Sequence, residues 1–471
     1  MSNRNSELMK NTVILAIGQI VPKFVAIFVL PLLTTYLTQR DYGLYELTLS
    51  VASFCIPLLS VQIQQGVFRF LLDLEYKKNE IITSSLLFIV TIFIFSAIPL
   101  VFCWYIYTKD ITLSILFFGS YFTEVILTWI GQVSRGLGYN FYYSVAYILY
   151  SIIYILILII LLVLTKVLTA KDVALAMIGA YIFAALFLLT KSRIRKYIGT
   201  KWFNGKTLIA LLSYSAPMVI SSIALWIVNL SDRFFVSAFL GIEETAMYSV
   251  ANRIPNLFNS IYNIFNLAWT ENTSKLSLKE KEEGYYTIFF KEFYQVMVGM
   301  MLVLITVSPL LFKILINNKY SEAYGLMSWL YVGVFFSSLV AFFGSIYVGE
   351  KKTKNVGISS AIGAFINVAI NFVLMKRYGV IIAAISTIVS YLIICIYRAI
   401  DVKKYVLIKY NPTIIVSGLF IICALAAMNN TYSRTLTVIS LFISISYNFI
   451  FNRNIISKII FALMRKGKYD V

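Results

Sequence analysis

The 471 residues contain no histidine, which removes the side chain most often used as general base, proton shuttle or metal ligand near neutral pH. Cys55, Cys103, Cys395 and Cys423 are the four cysteines; they fall singly, with neither metal-ligand nor disulfide spacing. No D-x-D pair occurs. The nearest approach to a phosphate loop, "GTKWFNGKT" over 199–207, is one residue too long between its glycines and enters an apolar helix instead of following a strand. No nucleotide, metal or other cofactor is therefore expected, and catalysis is not. Charge is scarce too, at 13% of residues, and lopsided, with 21 acidic against 40 basic side chains.

What is present is apolar. Hydrophobic residues make up 60% of the chain and its mean hydropathy is +0.84, against roughly 45–50% apolar residues in soluble proteins. A helix needs about 20 mostly apolar residues to cross a hydrocarbon core of about 30 Å. That rule predicts spans near 13–36, 42–64, 81–105, 111–131, 141–164, 172–190, 207–240, 245–269, 287–312, 322–347, 355–375, 379–399, 412–428 and 433–451. The fold class expected is all-α: a polytopic membrane protein of about 14 transmembrane helices.

With the N-terminus inside, about 27 of the 40 basic residues fall in cytoplasmic segments and about 9 outside, so an N-in, C-in topology is expected. "KSRIRKYIGTKWFNGK" (191–206), between spans six and seven, weighs most. The net charge of +19 thus reflects an anionic membrane leaflet and calls for no nucleic acid. The basic tail 453–471 is expected to lie along the inner surface.

The chain writes one corner twice. "LPLLTTYLTQRDYGLYELTLS" (30–50) joins two apolar runs, and "RFFVSAFLGIEETAMYSVANR" (233–253) follows about 203 residues later. Leu37 recurs as Leu240, Asp41 as Glu244, Gly43 as Ala246 and Tyr45 as Tyr248; "SAIPLVF" (96–102) returns as "TVSPLLF" (306–312). Two parallel six-helix repeats are expected: an N-lobe over 1–200, closed by the basic connector, and a C-lobe over 201–405. Spans thirteen and fourteen (406–452) are appended. Parallel repeats place a substrate site between the halves near the midplane.

Three stretches carry a resemblance. "NTVILAIGQIVPKFVAIFVLPLLTTYLTQRDYGLYELTLS" (11–50), "SAPMVISSIALWIVNLSDRFFVSAFLGIEETAMYSVANRI" (215–254) and "INFVLMKRYGVIIAAISTIVSYL" (370–392) resemble polysaccharide biosynthesis flippases. These belong to the multidrug/oligosaccharidyl-lipid/polysaccharide (MOP) exporter superfamily. The resemblance covers roughly residues 8–400. It implies lobes like those of the multidrug members and a bacterial cell-membrane carrier. That carrier moves an undecaprenyl-pyrophosphate-linked oligosaccharide from the inner to the outer leaflet by alternating access, for an O-antigen or capsule-type polymer. Polysaccharide polymerase and glycosyltransferases are the protein partners it brings to mind.

Polar residues inside the spans can be read without that resemblance, because a lipid-exposed charge costs about 2.5–3.5 kcal/mol or more. Asn252, Asn256, Asn259, Asn263 and Asn266 fall within about 80° of arc at 100° per residue, one amide stripe along span eight. Amides donate and accept hydrogen bonds, which suits sugar hydroxyls and water. A seam of interhelical hydrogen bonds is the competing account of the stripe. Span seven carries Trp226, Asn229 and Arg233 on one face with Ser215 and Ser222; span four carries Tyr121, Glu124, Thr128, Gln132 and Arg135; the first carries Gln19 and Lys23.

A diphosphate held in low dielectric needs cations. Lys23, Arg69 and Arg135 are the candidates for its path, with Arg233 and Arg253 nearer the outer side. Lys23 and Glu124 lie at similar depth and could meet, and Asp232 and Arg253 could pair. Lys291 and Glu292 are expected only to snorkel. Glu46, Glu124 and Asp232 are the carboxylates placed to bind H⁺ or Na⁺. The principal expectation is a lipid-linked oligosaccharide flippase. A drug or cation exporter of the same superfamily is the alternative, and a membrane enzyme of glycan assembly is a third that the missing histidine and short outer loops disfavour.

Overall fold

The computed structural model describes residue 18 and residues 21–73, 76–275, 285–350, 352–430 and 434–453, and among these every regular element is a helix. The chain divides into two compact units, residues 1–226 and 227–471. The first holds α1 (Val21–Tyr36), α2 (Gln39–Ser60), α3 (Ile63–Leu71), α4 (Lys78–Thr108), α5 (Ile111–Gly136), α6 (Asn140–Thr165), α7 (Ala170–Lys191) and the start of α8 (Gly205–Phe239). The second continues α8 and adds α9 (Ile242–Arg253), α10 (Pro255–Lys275), α11 (Tyr285–Leu315), α12 (Ala323–Gly349), α13 (Thr353–Tyr378), α14 (Ile381–Asp401), α15 (Pro412–Asn429) and α16 (Arg434–Phe451).

Among the described residues 11 helices are long and apolar enough to cross a membrane, and α1 and α16 are shorter apolar helices. Together with α9–α10 they occupy the stretches expected for the fourteen spans. Two of those stretches differ from expectation, because neither the second nor the eighth span is a single helix.

The second breaks at Val61 and Gln62, both left-handed at φ 50 and 52, after which α3 runs on to Leu71. Arg69 therefore stands on a helix of its own and not just beyond a span. The eighth breaks at Ile254, because Pro255 has no amide hydrogen to donate and starts α10 as its first residue. The asparagine row is thus divided, with Asn252 on α9 and the other four on α10.

The repeated corner is built by different chemistry in each unit. In the first, Thr38 caps α2 by accepting from Asp41 N at 3.0 Å, and its hydroxyl donates to Asp41 Oδ2 at 2.6 Å. In the second, Gly241 caps α9 at φ 107, a conformation that side chains resist.

Within the first unit α7 lies against α5 and α6, its buried Ala174, Ala176, Ala180 and Ala184 permitting the approach. The basic connector folds back onto α4: Thr83 Oγ1 donates to Tyr197 O at 3.1 Å, Asn204 N to Ser84 Oγ at 2.9 Å, and Asn204 Nδ2 to Glu80 Oε2 at 2.6 Å. In the second unit α12 is the hub, packed against α9, α10, α14 and α15. Flat rings fix α10, α11 and α12 together. Trp269 lies 4.1 Å from Phe289 and 5.0 Å from Phe342, and Phe293 lies 4.5 Å from Phe342.

Candidate functional site

In the first unit the break at Val61 and Gln62 turns α3 so that it lies along α5. Two glycines permit the fit. A Cβ at Gly136 would stand 2.7 Å from Leu71 Cβ, and one at Gly66 would stand 2.6 Å from Ser215 Oγ. Gln62 secures the bend by donating to Ser222 Oγ at 2.9 Å.

This placement puts Phe68 of α3 over Arg135 of α5. The guanidinium carbon lies 4.6 Å from the Phe68 ring centre and 5.4 Å from that of Tyr143 on α6. Arg135 Nη1 donates to Gln132 Oε1 at 3.2 Å, while its buried Nε has no hydrogen-bond partner. A planar cation within reach of two rings, with donors to spare, can take up an anion. Arg69, on the same short helix as Phe68, is exposed.

About two and three turns back along α5, Thr128 and Glu124 face a cluster of tyrosines. Tyr181 of α7 is the hydrogen-bonding neighbour of the Glu124 carboxylate, and Tyr150 of α6 stacks on Tyr181 at 4.6 Å. Thr128 donates to Glu124 O at 2.9 Å, and Tyr147 is its hydrogen-bonding neighbour. The pairing expected between Glu124 and Lys23 is not formed; phenol, not ammonium, faces the acid. Lys23 is exposed on α1, and Gln19 lies outside the described residues. Glu46 is buried on α2. Trp226 spends its indole hydrogen on Ser50 O at 2.7 Å and rests its ring 4.8 Å from Phe54.

In the second unit a connected polar group surrounds Asp232, which is only 3% exposed. Its carboxylate accepts from Tyr248 Oη at 2.9 Å, Asn371 Nδ2 at 2.7 Å and Thr387 Oγ1 at 2.7 Å. Asn371 also donates to Asn367 Oδ1 at 3.1 Å. Ser386 Oγ, donating to Asn371 Oδ1 at 3.0 Å, closes the ring. All of these donors are neutral, so the pairing expected with Arg253 is replaced by a knot drawn from α8, α9, α13 and α14. Arg233 donates Nε to Ser249 Oγ at 2.9 Å, and Asn229 Oδ1 accepts from Tyr391 Oη at 2.6 Å. Arg253, half-buried, ends α9.

The asparagine row splits in two. Asn259 accepts from Ser337 at 3.1 Å and Asn266 from Ser345 at 2.8 Å, both serines standing on α12. Those two amides are a packing seam. Asn256 and Asn263, also seven residues apart, are exposed. Asn252 turns its amide back to Tyr248 O at 2.9 Å.

The sequence reading missed Asn367, Asn371, Ser386 and Thr387 around Asp232, although two asparagines four apart in an apolar helix were a visible signal. It also missed Arg398. This side chain is 3% exposed and donates to Ser359 Oγ, Val340 O, Val356 O and Ser360 Oγ at 2.8–3.2 Å, tying α14 to α12 and α13.

The family model described as "Polysaccharide biosynthesis protein" matches residues 8–270, and the MatE model matches residues 217–373. No curated protein matches the chain. Among solved structures it is similar to the lipid II flippase MurJ in an inward closed conformation. That match has TM-score 0.67 and 15% identity, and covers 95% of this chain and 100% of the other. It is similar also to an inward-facing multidrug resistance MATE family transporter of the MOP superfamily, with TM-score 0.62 and 13% identity over 81% of this chain and 98% of that one. A MOP superfamily transporter from Pyrococcus furiosus gives TM-score 0.55 at 15% identity, covering 84% and 95% of the two chains. These likenesses show the fold. Taken with the match over more than half its length, they establish that the chain belongs to the polysaccharide biosynthesis protein family and has the all-helical fold of the MOP superfamily.

Proposed function

We propose that this protein is a flippase that carries an undecaprenyl-pyrophosphate-linked oligosaccharide from the inner to the outer leaflet of a bacterial cell membrane by alternating access. The observation that carries the reading is the exposed pair Asn256 and Asn263 on α10. That helix has 21 residues yet, among the described residues, is not one of those apolar enough by composition to cross a membrane. Exposed amides on such a helix require water, and a watery wall of neutral donors and acceptors suits a glycan.

Arg135, near the rings of Phe68 and Tyr143, is the first candidate cation for the diphosphate path, and Arg69, Lys23, Arg233 and Arg253 are the others. The two lobes are 1–200 and 201–405, with α15 and α16 appended over 406–452. An apolar cleft of about 450 Å³ between α11 and α16, walled by Val303, Val307, Ile445 and Phe449, is suited to a prenyl chain. The N- and C-termini lie in the cytoplasm.

Transport is coupled to an ion, H⁺ or Na⁺. Asp232 is the strongest of the three carboxylates for this role, since its neutral donors leave its charge uncompensated. Glu46 and Glu124 are the others. An O-antigen or capsule-type polymer is the product served, with polymerase and glycosyltransferases as partners. The protein itself makes and breaks no covalent bond.

The test is to remove the protein from cells and extract lipids. Lipid-linked oligosaccharide should accumulate chemically unchanged on the cytoplasmic side; a changed glycan structure would point instead to an enzyme. The match of the MatE model to 217–373 favours one second reading, an antiporter of organic cations. Efflux of a cationic dye from cells carrying the protein, with no effect on the lipid-linked glycan, would establish that reading.

A further inference from the structure

Two helices of the second unit meet. Tyr294 of α11 donates to Ile415 O of α15 at 2.7 Å, and Gly418 lets the two helices touch, since a Cβ there would lie 2.8 Å from the Tyr294 ring. Toward their N-termini, between that contact and the bond from Lys409 N to Thr287 Oγ1, lies a cleft of about 490 Å³. Thr287, Phe290, Lys291 and Tyr294, spaced three, one and three residues apart, form one face of α11 and one wall of the cleft. The segment ending at Asn411 forms the other wall, with Lys409 at its rim and Ile414 and Ile415 at its base.

The cleft is amphipathic along its length. Its apolar end lies between the helices and its polar end at their first turns. Lys291 and Lys409 are exposed, and among the described residues neither ammonium has an acidic partner. Glu292 follows Lys291 but stands about 100° further round the helix. Lys409 N donates to Thr287 Oγ1 at 3.0 Å, which leaves the threonine's own hydrogen to offer. Lys403 adds a third positive charge, its Nζ lying 4.9 Å from the Tyr410 ring. Asn411 already caps the amides of Thr413 and Ile414, so the lysines supply the attraction and not the helix end.

We propose that this cleft binds the phosphate headgroup of an anionic glycerophospholipid, with the upper methylenes of its acyl chains against Phe290, Ile414 and Ile415. Two ammoniums beside an apolar slot match the charge and shape of such a lipid, and the bias of basic residues puts this end of both helices at the anionic cytoplasmic leaflet. The bound lipid fills the gap between the first turns of α11 and α15.

The test uses the full chain in detergent, titrated with phosphatidylglycerol or phosphatidylcholine and read by native mass spectrometry. Phosphatidylglycerol should be retained in preference. A Lys291→Ala/Lys409→Ala variant should bind it about thirtyfold more weakly, at about a factor of five or six for each cation lost. The Lys291→Arg/Lys409→Arg pair should keep the preference, and Lys313→Ala/Lys376→Ala should leave it unchanged. Should the double alanine variant not purify, Lys409→Gln alone gives the same reading, since Lys409 lies on exposed coil. Equal retention of the two lipids, undiminished phosphatidylglycerol binding by the alanine pair, or displacement of the lipid by millimolar inorganic phosphate would each overturn the proposal.

Discussion

Asn371 donates its amide to Asp232 at 2.7 Å across 139 residues of sequence, both side chains buried. The bond joins α13 to α8 and holds a carboxylate that no cation neutralises among the described residues. Removing one donor from such a group costs about 1–3 kcal/mol. Asn371→Leu should therefore lower thermal stability in detergent by that amount, whereas Asp232→Asn, which trades the charge for an amide, should cost less. If Asp232 couples transport to an ion, Asp232→Asn should also abolish the dependence of transport on that ion.

The split asparagine row separates stability from transport. Asn259→Leu/Asn266→Leu removes the two bonds to Ser337 and Ser345 and should cost about 1 kcal/mol, at about 0.6 kcal/mol for each interhelical bond. Asn256→Leu/Asn263→Leu breaks no bond to another helix and should leave the melting temperature unchanged while blocking export of lipid-linked glycan. Normal export from the second pair would reduce the exposed amides to bystanders.

Arg135 lies close to two rings and keeps a fork of donors that lysine cannot reproduce. Arg135→Lys keeps the charge but loses the guanidinium fork beside Phe68 and Tyr143, so lipid-linked glycan should accumulate inside nearly as it does with Arg135→Ala. Export at the unsubstituted rate with lysine would show that a point charge suffices.

Gly136→Ala should destabilise the first unit by about 1–3 kcal/mol, the usual cost of overpacking, because its Cβ would stand 2.7 Å from that of Leu71. Gly138→Ala gives a useful contrast: its φ of 90 strains the backbone although the space around it is open. The melting temperature of each, and its recovery for Gly136→Ala by a smaller residue at position 71, distinguishes crowding from strain.

Outside the membrane, Lys171 Nζ lies 2.6 Å from Asp110 Oδ2, and Asp110 also accepts from Leu113 N at 3.0 Å as the cap of α5. The Lys171 hydrogen bond, helped by that backbone amide, holds the Asp110 carboxyl below its ordinary value of 3.8. A lowered carboxyl contributes stability above its unfolded value and loses it as the pH falls through the folded one. Melting temperatures between about pH 3 and pH 6 should therefore drop less steeply for Asp110→Asn than for the unsubstituted chain at the acid end.

Helices were legible because apolar runs of bilayer length leave little alternative, and even the shorter α1 and α16 stood out. The break at Ile254 was not foreseen, although Pro255 marks the place. Nor was the break at Val61 and Gln62, because a left-handed pair without glycine or asparagine leaves no mark in composition. The candidate site was legible as faces but not as partners. Periodicity aligned five asparagines, yet which of them met serines depended on α12, more than seventy residues on. Asp232 was recognised by its charge; Asn371 and Thr387 lie 139 and 155 residues away, beyond any local pattern.

The elbow between α2 and α3 has an energetic side. A β-branched residue at φ 50 is held against its preference, and such a residue costs on the order of 1–3 kcal/mol. That cost is returned if residues 39–71 straighten into one rod. Gln62, by donating to Ser222, offsets part of that cost and holds the bend, so losing this bond would shift the balance toward the straight form.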